Sequence, residues 1–286
     1  MVLDHLIQLV LAEYDLGEIT GFRHLFSSVN DTYAVEFGAT SYALRVHRAD
    51  PWWIGHDDEL RFELDLLHHL HGAGINVPVP IERTNGDPLG RLENGRHYSL
   101  FSWAPGKPGE GSPKRVGLVG ETLARIHVAS DGFQSPYGRY HLDEANLLDR
   151  YLAKLRPTDG QAAYIEEHAA EIRRRLATFD PGPTGWGVVH GDVQSLNFHF
   201  TDDDQITFLD FDLSGYGWRV YDLAYYVTRI REKHRQPFLD GYESVRPLTD
   251  AEREMIPTIG RLAWIREEIG ATALVKRLRK PYMTDL

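Results

Sequence analysis

The chain has 286 residues, 42% hydrophobic and 26% charged, a composition ordinary for a folded soluble protein with interior enough for one large domain or two lobes. Its 42 acidic residues outnumber 31 basic ones for a net charge of −11, which argues against a phosphate-backbone partner; such a field attracts cationic small molecules and favours solubility. The absence of cysteine excludes disulfides, Cys-ligated zinc and a thiol nucleophile, and fits a reducing cytoplasm.

No apolar run of about 18 residues is present, so no membrane span is expected. The opening Met1-Val-Leu-Asp-His-Leu-Ile-Gln has an early Asp and no basic stretch, so it does not read as a signal peptide. In the first third, Tyr33-Ala-Val-Glu-Phe and Ser41-Tyr-Ala-Leu-Arg-Val-His are β-rich runs joined at Gly38, which predicts a hairpin. Leu60, Leu64, Leu67 and Leu70 recur at helical spacing and predict a helix over 57–71, ended by Gly72-Ala-Gly. Val77-Pro-Val-Pro-Ile leads into a strand pair at 91–93 and 96–103. The Pro/Gly-rich stretch 104–113 then reads as a linker.

Beyond it the pattern turns helical, with helices expected over 116–130, 147–155, 161–179 and 251–278. Short strands are expected near Val188-Val189, over 197–200 and over 206–209. The predicted class is therefore α+β, with a small antiparallel-sheet lobe carrying one main helix (1–103), a linker (104–113) and a larger, mostly helical lobe (114–286). His68 and His71 stand one helical turn apart, but no carboxylate accompanies them as a zinc motif.

The chemistry concentrates in Val188-Val-His-Gly-Asp-Val-Gln-Ser-Leu-Asn-Phe-His-Phe200, followed by Ile206-Thr-Phe-Leu-Asp-Phe-Asp212. Phosphoryl transfer needs a hydroxyl held in line with a phosphate and cations to neutralise developing charge. Asp192 is the candidate base, and Asn197 and Asp210 are hard oxygen donors of the kind Mg²⁺ uses beside phosphate oxygens. His190 is read as orienting the loop. Asp222 reads equally as the N-cap of a helix opening at Leu223.

His190-Gly-Asp with Asn197, Leu209-Asp-Phe-Asp212 and Tyr221-Asp-Leu-Ala224 together resemble the aminoglycoside phosphotransferase/choline kinase family, which has a protein-kinase-like bilobal fold. The similarity runs from about residue 17 to about residue 270 and is closest to the bacterial homoserine-kinase-like and stress-response-kinase-like branch. The resemblance implies an ATP- and Mg²⁺-dependent kinase with Asp192 as catalytic base, Asn197 and Asp210 on metal, and Asp222 bracing the catalytic loop. It implies that Arg45, where the family often has Lys, grips phosphate and pairs with Glu63. Ser28, in Ser27-Ser-Val-Asn-Asp31, falls where the family covers the phosphates. Ser102 and Ala104 would offer backbone groups to the nucleotide base, with Phe101 as pocket wall.

Asp212 stands where protein kinases carry Gly, adding a carboxylate that serves metal or substrate. Residues 193–196 lack the lysine of many protein kinases, and no long activation segment follows Asp210. A small-molecule hydroxyl acceptor (aminoglycoside, amino alcohol, sugar or hydroxy amino acid) is thereby favoured. The alternatives are a Ser/Thr protein acceptor and a nucleotide-binding module without catalysis. Tyr216, Trp218, Tyr225, Trp264, Glu267 and Glu268 are the candidate acceptor-lining residues, since aromatic and acidic groups suit a cationic or sugar-like molecule.

Overall fold

The computed structural model describes residue 8 and residues 10–27, 30–48, 56–156 and 159–275. An antiparallel sheet opens the chain, with β1 (Ile19–Ser27), β2 (Asp31–Phe37) and β3 (Thr40–Val46) as consecutive neighbours. Helix α1 (Asp58–Gly72) follows, then β4 (Pro80–Ile81), β5 (Gly90–Arg91) and β6 (His97–Ser102). β6 lies between β3 and β4 and also pairs β5. The β2–β3 hairpin turns at Gly38, whose positive φ suits the tight reversal. Val35, Leu44 and Leu100 point into one apolar cluster with Tyr98 and Leu11, while Arg45, between two buried neighbours of β3, faces the other side. This alternation carries the cation into the cleft.

Helix α1 ends as its glycines require: Gly74 has φ +81° and the Ile75 amide reaches back to Leu70 O at 3.0 Å. Its buried leucines do not pack only on the first sheet. They share a continuous core with Val116, Phe198, Phe208 and Phe238 of later elements, so the helix bearing Glu63 is fixed against both halves of the molecule.

Residues 104–113 are not a bare connector, because Lys107–Pro108 form a short strand, β7, paired with the later strand Phe198–Phe200. Gly106 makes this possible. It has φ +91°, and a Cβ there would lie 2.3 Å from Phe200 O. Helix α2 (Pro113–Ala129) starts with Ser112 accepting from the Arg115 amide and Pro at the first turn. After β8 (His141–Leu142), the segment read as one helix is a π-helical turn (Ala145–Asp149) running into a three-residue helix, α3 (Arg150–Leu152).

Then come α4 (Ala162–Leu176), β9 (Trp186–Val189), β10 (Phe198–Phe200), β11 (Ile206–Phe208) and β12 (Gly215–Trp218). These strands form two small sheets, β11-β10-β7 and β8-β12-β9. Helices α5 (Val220–Val227), α6 (Glu232–Glu243) and α7 (Asp250–Val275) complete the described chain. Thr249 and Glu252 cap α7 reciprocally: Thr249 Oγ1 accepts from the Glu252 amide at 3.1 Å and Glu252 Oε2 from the Thr249 amide at 3.0 Å.

Helices α2 and α6 cross almost backbone on backbone. A Cβ on Gly120 would sit 2.0 Å from Phe238 O, and one on Gly241 would sit 2.0 Å from Gly117 O. That approach brings His127 of α2 to Tyr242 of α6. No helix among the described residues is long and apolar enough to cross a membrane.

Candidate active site

The loop after β9 is positioned from beneath. Val188 and Val189 anchor its start in two different apolar clusters, and the fully buried Asp222 accepts hydrogen bonds from the His190 and Gly191 amides at 2.7 and 2.8 Å. Asp222 lies in the first turn of α5, which begins at Val220, so it is not the N-cap of a helix opening at Leu223. Burial works against its charge, but the hydrogen bond and charge of His127, helped by His190 and the Gly191 amide, hold it below the ordinary carboxylate value.

Burial drives the His127 pKa down to about 4, so the ring is neutral near pH 7. Its Nε2–H then donates to Asp222 Oδ2 at 3.0 Å, and Nδ1 accepts from the Tyr242 hydroxyl at 2.7 Å. Arg246 in turn donates to the Tyr242 oxygen at 3.3 Å and pairs with the buried Glu252 at 2.7 Å. A chain of polar contacts thus runs from the cap of α7 to the loop after β9.

His190 Nε2 donates to Leu209 O at 2.8 Å and its Nδ1 accepts from the Asp192 amide at 3.3 Å. One ring therefore ties the loop to the strand end that carries Asp210. Gly191 has φ +82°, and a Cβ there would stand 2.3 Å from Leu213 O, so glycine is required before Asp192.

Asp192 turns into a cavity of about 490 Å³ that also takes in Arg45, Asn197, Asp210 and Asp212. Its Oδ2 accepts from Gln194 Nε2 (2.7 Å) and Asn197 Nδ2 (2.8 Å), and its Oδ1 from the Tyr225 hydroxyl (2.5 Å). Asn197 Nδ2 also reaches Asp192 O at 2.9 Å, which leaves its Oδ1 without a hydrogen bond among the described residues. Asp210 holds φ +61°, costly for a residue with a side chain, at the turn that aims it into the cleft.

Protein surrounds Asp210 deeply, yet its carboxylate keeps 44% exposure toward the cavity. Burial, then Glu63 and Asp192, push its pKa up against the pull of Arg45. Asp212 is pushed up further, by burial and then by Asp210 and Glu63. Three carboxylates, Glu63, Asp210 and Asp212, thus crowd around Arg45, with Arg139 as the further cation beside Asp212.

Arg45 Nη1 meets Glu63 Oε1 at 2.8 Å and Nη2 lies 3.6 Å from Asp210 Oδ1, with the guanidinium 5.0 Å from the centre of the Phe101 ring. Burial opposes its charge, but Glu63, Asp210 and Asp212 hold its pKa above the ordinary arginine value. Asn30 reaches Asp212 Oδ2 at 3.4 Å from the segment ahead of β2. Phe101, Ser102 and Ala104 line the far end of the same cavity beside Trp103. The Ser102 amide is already bonded to Val79 O at 2.9 Å, so of the backbone groups expected there Ser102 N–H is spent.

Of the residues expected to meet the acceptor, Glu267 lines the cavity, and Tyr225 reaches both it (3.3 Å) and Asp192. Tyr216, Trp218 and Trp264 are not in its wall. Tyr216 packs on Phe62 and bonds Phe133 O, Trp218 meets Trp186, and Trp264 meets Tyr164. Each is an aromatic consumed by packing. Ser28 and the Glu268 side chain lie outside the described residues. His68 and His69 bond the carbonyls of Pro80 and Ala129 rather than a shared metal.

Sequence reasoning missed Gln194, Leu196, Arg139, Tyr151 and Arg266. Arg139 spends all three guanidinium nitrogens on the carbonyls of Glu59, Asp212 and Ser214, joining α1 to the Asp210–Asp212 turn. For Arg266 a signal existed: it falls on the buried stripe of α7 with Leu262, Ile265 and Ile269, where a charged residue is out of place.

A model of the phosphotransferase enzyme family matches residues 25–255. An uncharacterised protein of Deinococcus radiodurans is 36% identical over 245 residues, covering 80% of this chain and 70% of that protein. The homoserine kinase of Methylobacillus glycogenes is 31% identical over 274 residues, 90% of this chain and 80% of that one. Among solved structures, amicoumacin kinase in complex with AMP-PNP and Ca²⁺ superposes with a TM-score of 0.83 at 19% identity, covering 95% of this chain and 86% of that chain. With Asp192, Asn197, Asp210 and Asp212 on one cavity, this chain belongs to the phosphotransferase enzyme family and is a kinase of protein-kinase-like fold.

Proposed function

We propose that the protein is an ATP- and Mg²⁺-dependent kinase that phosphorylates a hydroxyl of a small molecule, with Asp192 as the base. The observation that carries this is the shared cavity. Asp192, Asn197 and Asp210 line it together with Arg45, and its far wall is the Phe101–Ala104 segment. The donor set fits a hard divalent cation: Asn197 Oδ1 is open and the Asp210 carboxylate faces the cavity. Mg²⁺ held there would neutralise charge developing on the transferred phosphoryl group.

The chain's own part is positioning. Gln194 and Asn197 fix Oδ2 of Asp192, and Tyr225 takes one acceptor direction of Oδ1. The second direction of Oδ1 remains for the acceptor hydroxyl, whose proton Asp192 would receive as its oxygen bonds the γ-phosphorus and the bond from that phosphorus to the bridging oxygen of ADP breaks. Arg45, braced by Glu63, is the phosphate-side cation. On this reading residues 1–103 hold the nucleotide, 104–113 form the hinge, and 114–286 carry the catalytic groups and the acceptor. We place the reaction in the cytoplasm, in keeping with the cysteine-free sequence.

The test is ADP release from MgATP with a panel of amino alcohols, aminoglycosides, sugars and hydroxy amino acids, for wild type and Asp192→Ala. Acceptor-dependent release in wild type, lowered at least about 1,000-fold in the variant while MgATP still binds, is expected. Silence of the wild type with every acceptor, despite bound MgATP, would count against a kinase.

A further inference from the structure

Arg266 is a buried cation that forms no ion pair among the described residues. Its side chain is on the wall of the Asp192 cavity, yet the residue is only 5% exposed. Nη1 donates to Gly191 O at 3.0 Å and to the Tyr221 hydroxyl, and Nε donates to the Tyr151 hydroxyl at 3.4 Å. None of these partners is a carboxylate. Nη2 has no hydrogen-bond partner, and Arg266 forms no ion pair, among the described residues.

The other buried arginines differ. Arg45, Arg219 and Arg246 pair with Glu63, Asp131 and Glu252, and Arg139 uses every nitrogen on a carbonyl. A guanidinium cannot shed its proton, so a buried one with an open nitrogen and no paired carboxylate persists only where something completes it. Here the open nitrogen belongs to a residue bonded to the carbonyl immediately before Asp192.

The neighbouring charge says what completes it. Glu267 lines the same wall, and its Oε1 lies 3.3 Å from the Tyr225 hydroxyl that contacts Asp192. A second phosphate group would be repelled by Glu267, and the phosphate side already has Arg45. A cation and an anion on adjacent residues suit a molecule carrying both charges.

We propose that Arg266 anchors a carboxylate of the acceptor and Glu267 its ammonium group, so that the acceptor is a small hydroxylated amino acid. This rests on the kinase reading above and narrows it. The single cavity of about 490 Å³ also reaches Phe101 and Ala104, so nucleotide and acceptor share it and the acceptor is small.

The test measures kcat/KM in matched pairs that differ only in the carboxylate: homoserine against 3-aminopropan-1-ol, and serine against ethanolamine, with kanamycin as a polycationic control. 4-Hydroxybutyrate supplies homoserine without its amine. Homoserine or serine is expected to exceed its decarboxylated partner by at least about 100-fold. Arg266→Gln should erase most of that ratio, Arg266→Lys should restore part of it, and Glu267→Gln should shrink the ratio of homoserine to 4-hydroxybutyrate.

Equal or better turnover of the decarboxylated partners or kanamycin by wild type overturns the proposal and leaves the kinase reading intact; this arm needs no variant to fold. An Arg266→Gln protein that slows all acceptors alike, with the pair ratio unchanged, reduces Arg266 to a prop for Gly191 and also overturns it. No turnover of any acceptor despite MgATP binding overturns the kinase reading itself, a distinct result.

Discussion

Arg45 shows how one residue serves structure and chemistry together. Glu63 is 1% exposed and has the Arg45 guanidinium at 2.8 Å. Removing the cation strands a buried carboxylate, which costs about 3–5 kcal/mol, far more than an exposed ion pair contributes. Arg45→Met should therefore lower the urea midpoint clearly, whereas Arg45→Lys, which keeps the charge, should recover most of the loss. Equal midpoints for wild type and Arg45→Met would show that the pair holds nothing together. Asp192 is held differently. Its carboxylate gathers Gln194, Asn197 and Tyr225 around it, so its orientation is fixed by three side chains from two elements.

At the scale of elements, the crossing of α2 and α6 decides whether the loop after β9 is braced. The Gly120 Cβ position is 2.0 Å from Phe238 O and 2.9 Å from the Tyr242 amide nitrogen, both backbone atoms that cannot swing aside. Gly120→Ala should force the helices apart and cost at least about 1–3 kcal/mol by overpacking. Circular-dichroism melts check this, and an unchanged Tm would show that the helices tolerate separation.

This crossing was invisible in the sequence. The glycines of α2 sit within an ordinary amphipathic pattern, and nothing local says that another backbone will lie on them. The hairpin, α1 and α7 were legible because apolar periodicity and glycine punctuation act within a few residues. The π-turn and short α3 were read as one helix because hydrophobic spacing does not separate i→i+4 from i→i+5 bonding. The Asp192, Asn197 and Asp210 cluster was legible because its members lie on one loop and the strand end beside it. The acceptor wall was not, since Tyr216, Trp218 and Trp264 offer the same chemistry whether they face a ligand or a packed neighbour.

For the whole molecule, the buried polar chain from Glu252 through Arg246, Tyr242 and His127 to Asp222 couples stability to pH. His127 has a native pKa of about 4, against about 6.5 when unfolded. The unfolded chain therefore takes up a proton that the native state refuses between those values. His127 alone therefore removes roughly 3 kcal/mol as the pH drops from near neutrality to about 4; the buried His47, also depressed by burial, acts in the same direction, and the raised Asp210 and Asp212 act in the opposite one. Asp222, held below its ordinary value, loses its contribution only at lower pH still. Urea titrations at pH 7, 5.5 and 4.5 should show this slope, flattened in His127→Gln. The same pH slope in wild type and His127→Gln would contradict a neutral, buried His127.

Transfer of a phosphoryl group to an alcohol in the Asp192 cavity is read most directly by ³¹P NMR of the protein incubated with MgATP and each alcohol of the acceptor panel in turn. A new phosphomonoester resonance growing in step with ADP is expected with one of them, and absent with Asp192→Asn. ADP appearing only with inorganic phosphate, at the same rate whether or not the alcohol is present, would contradict it.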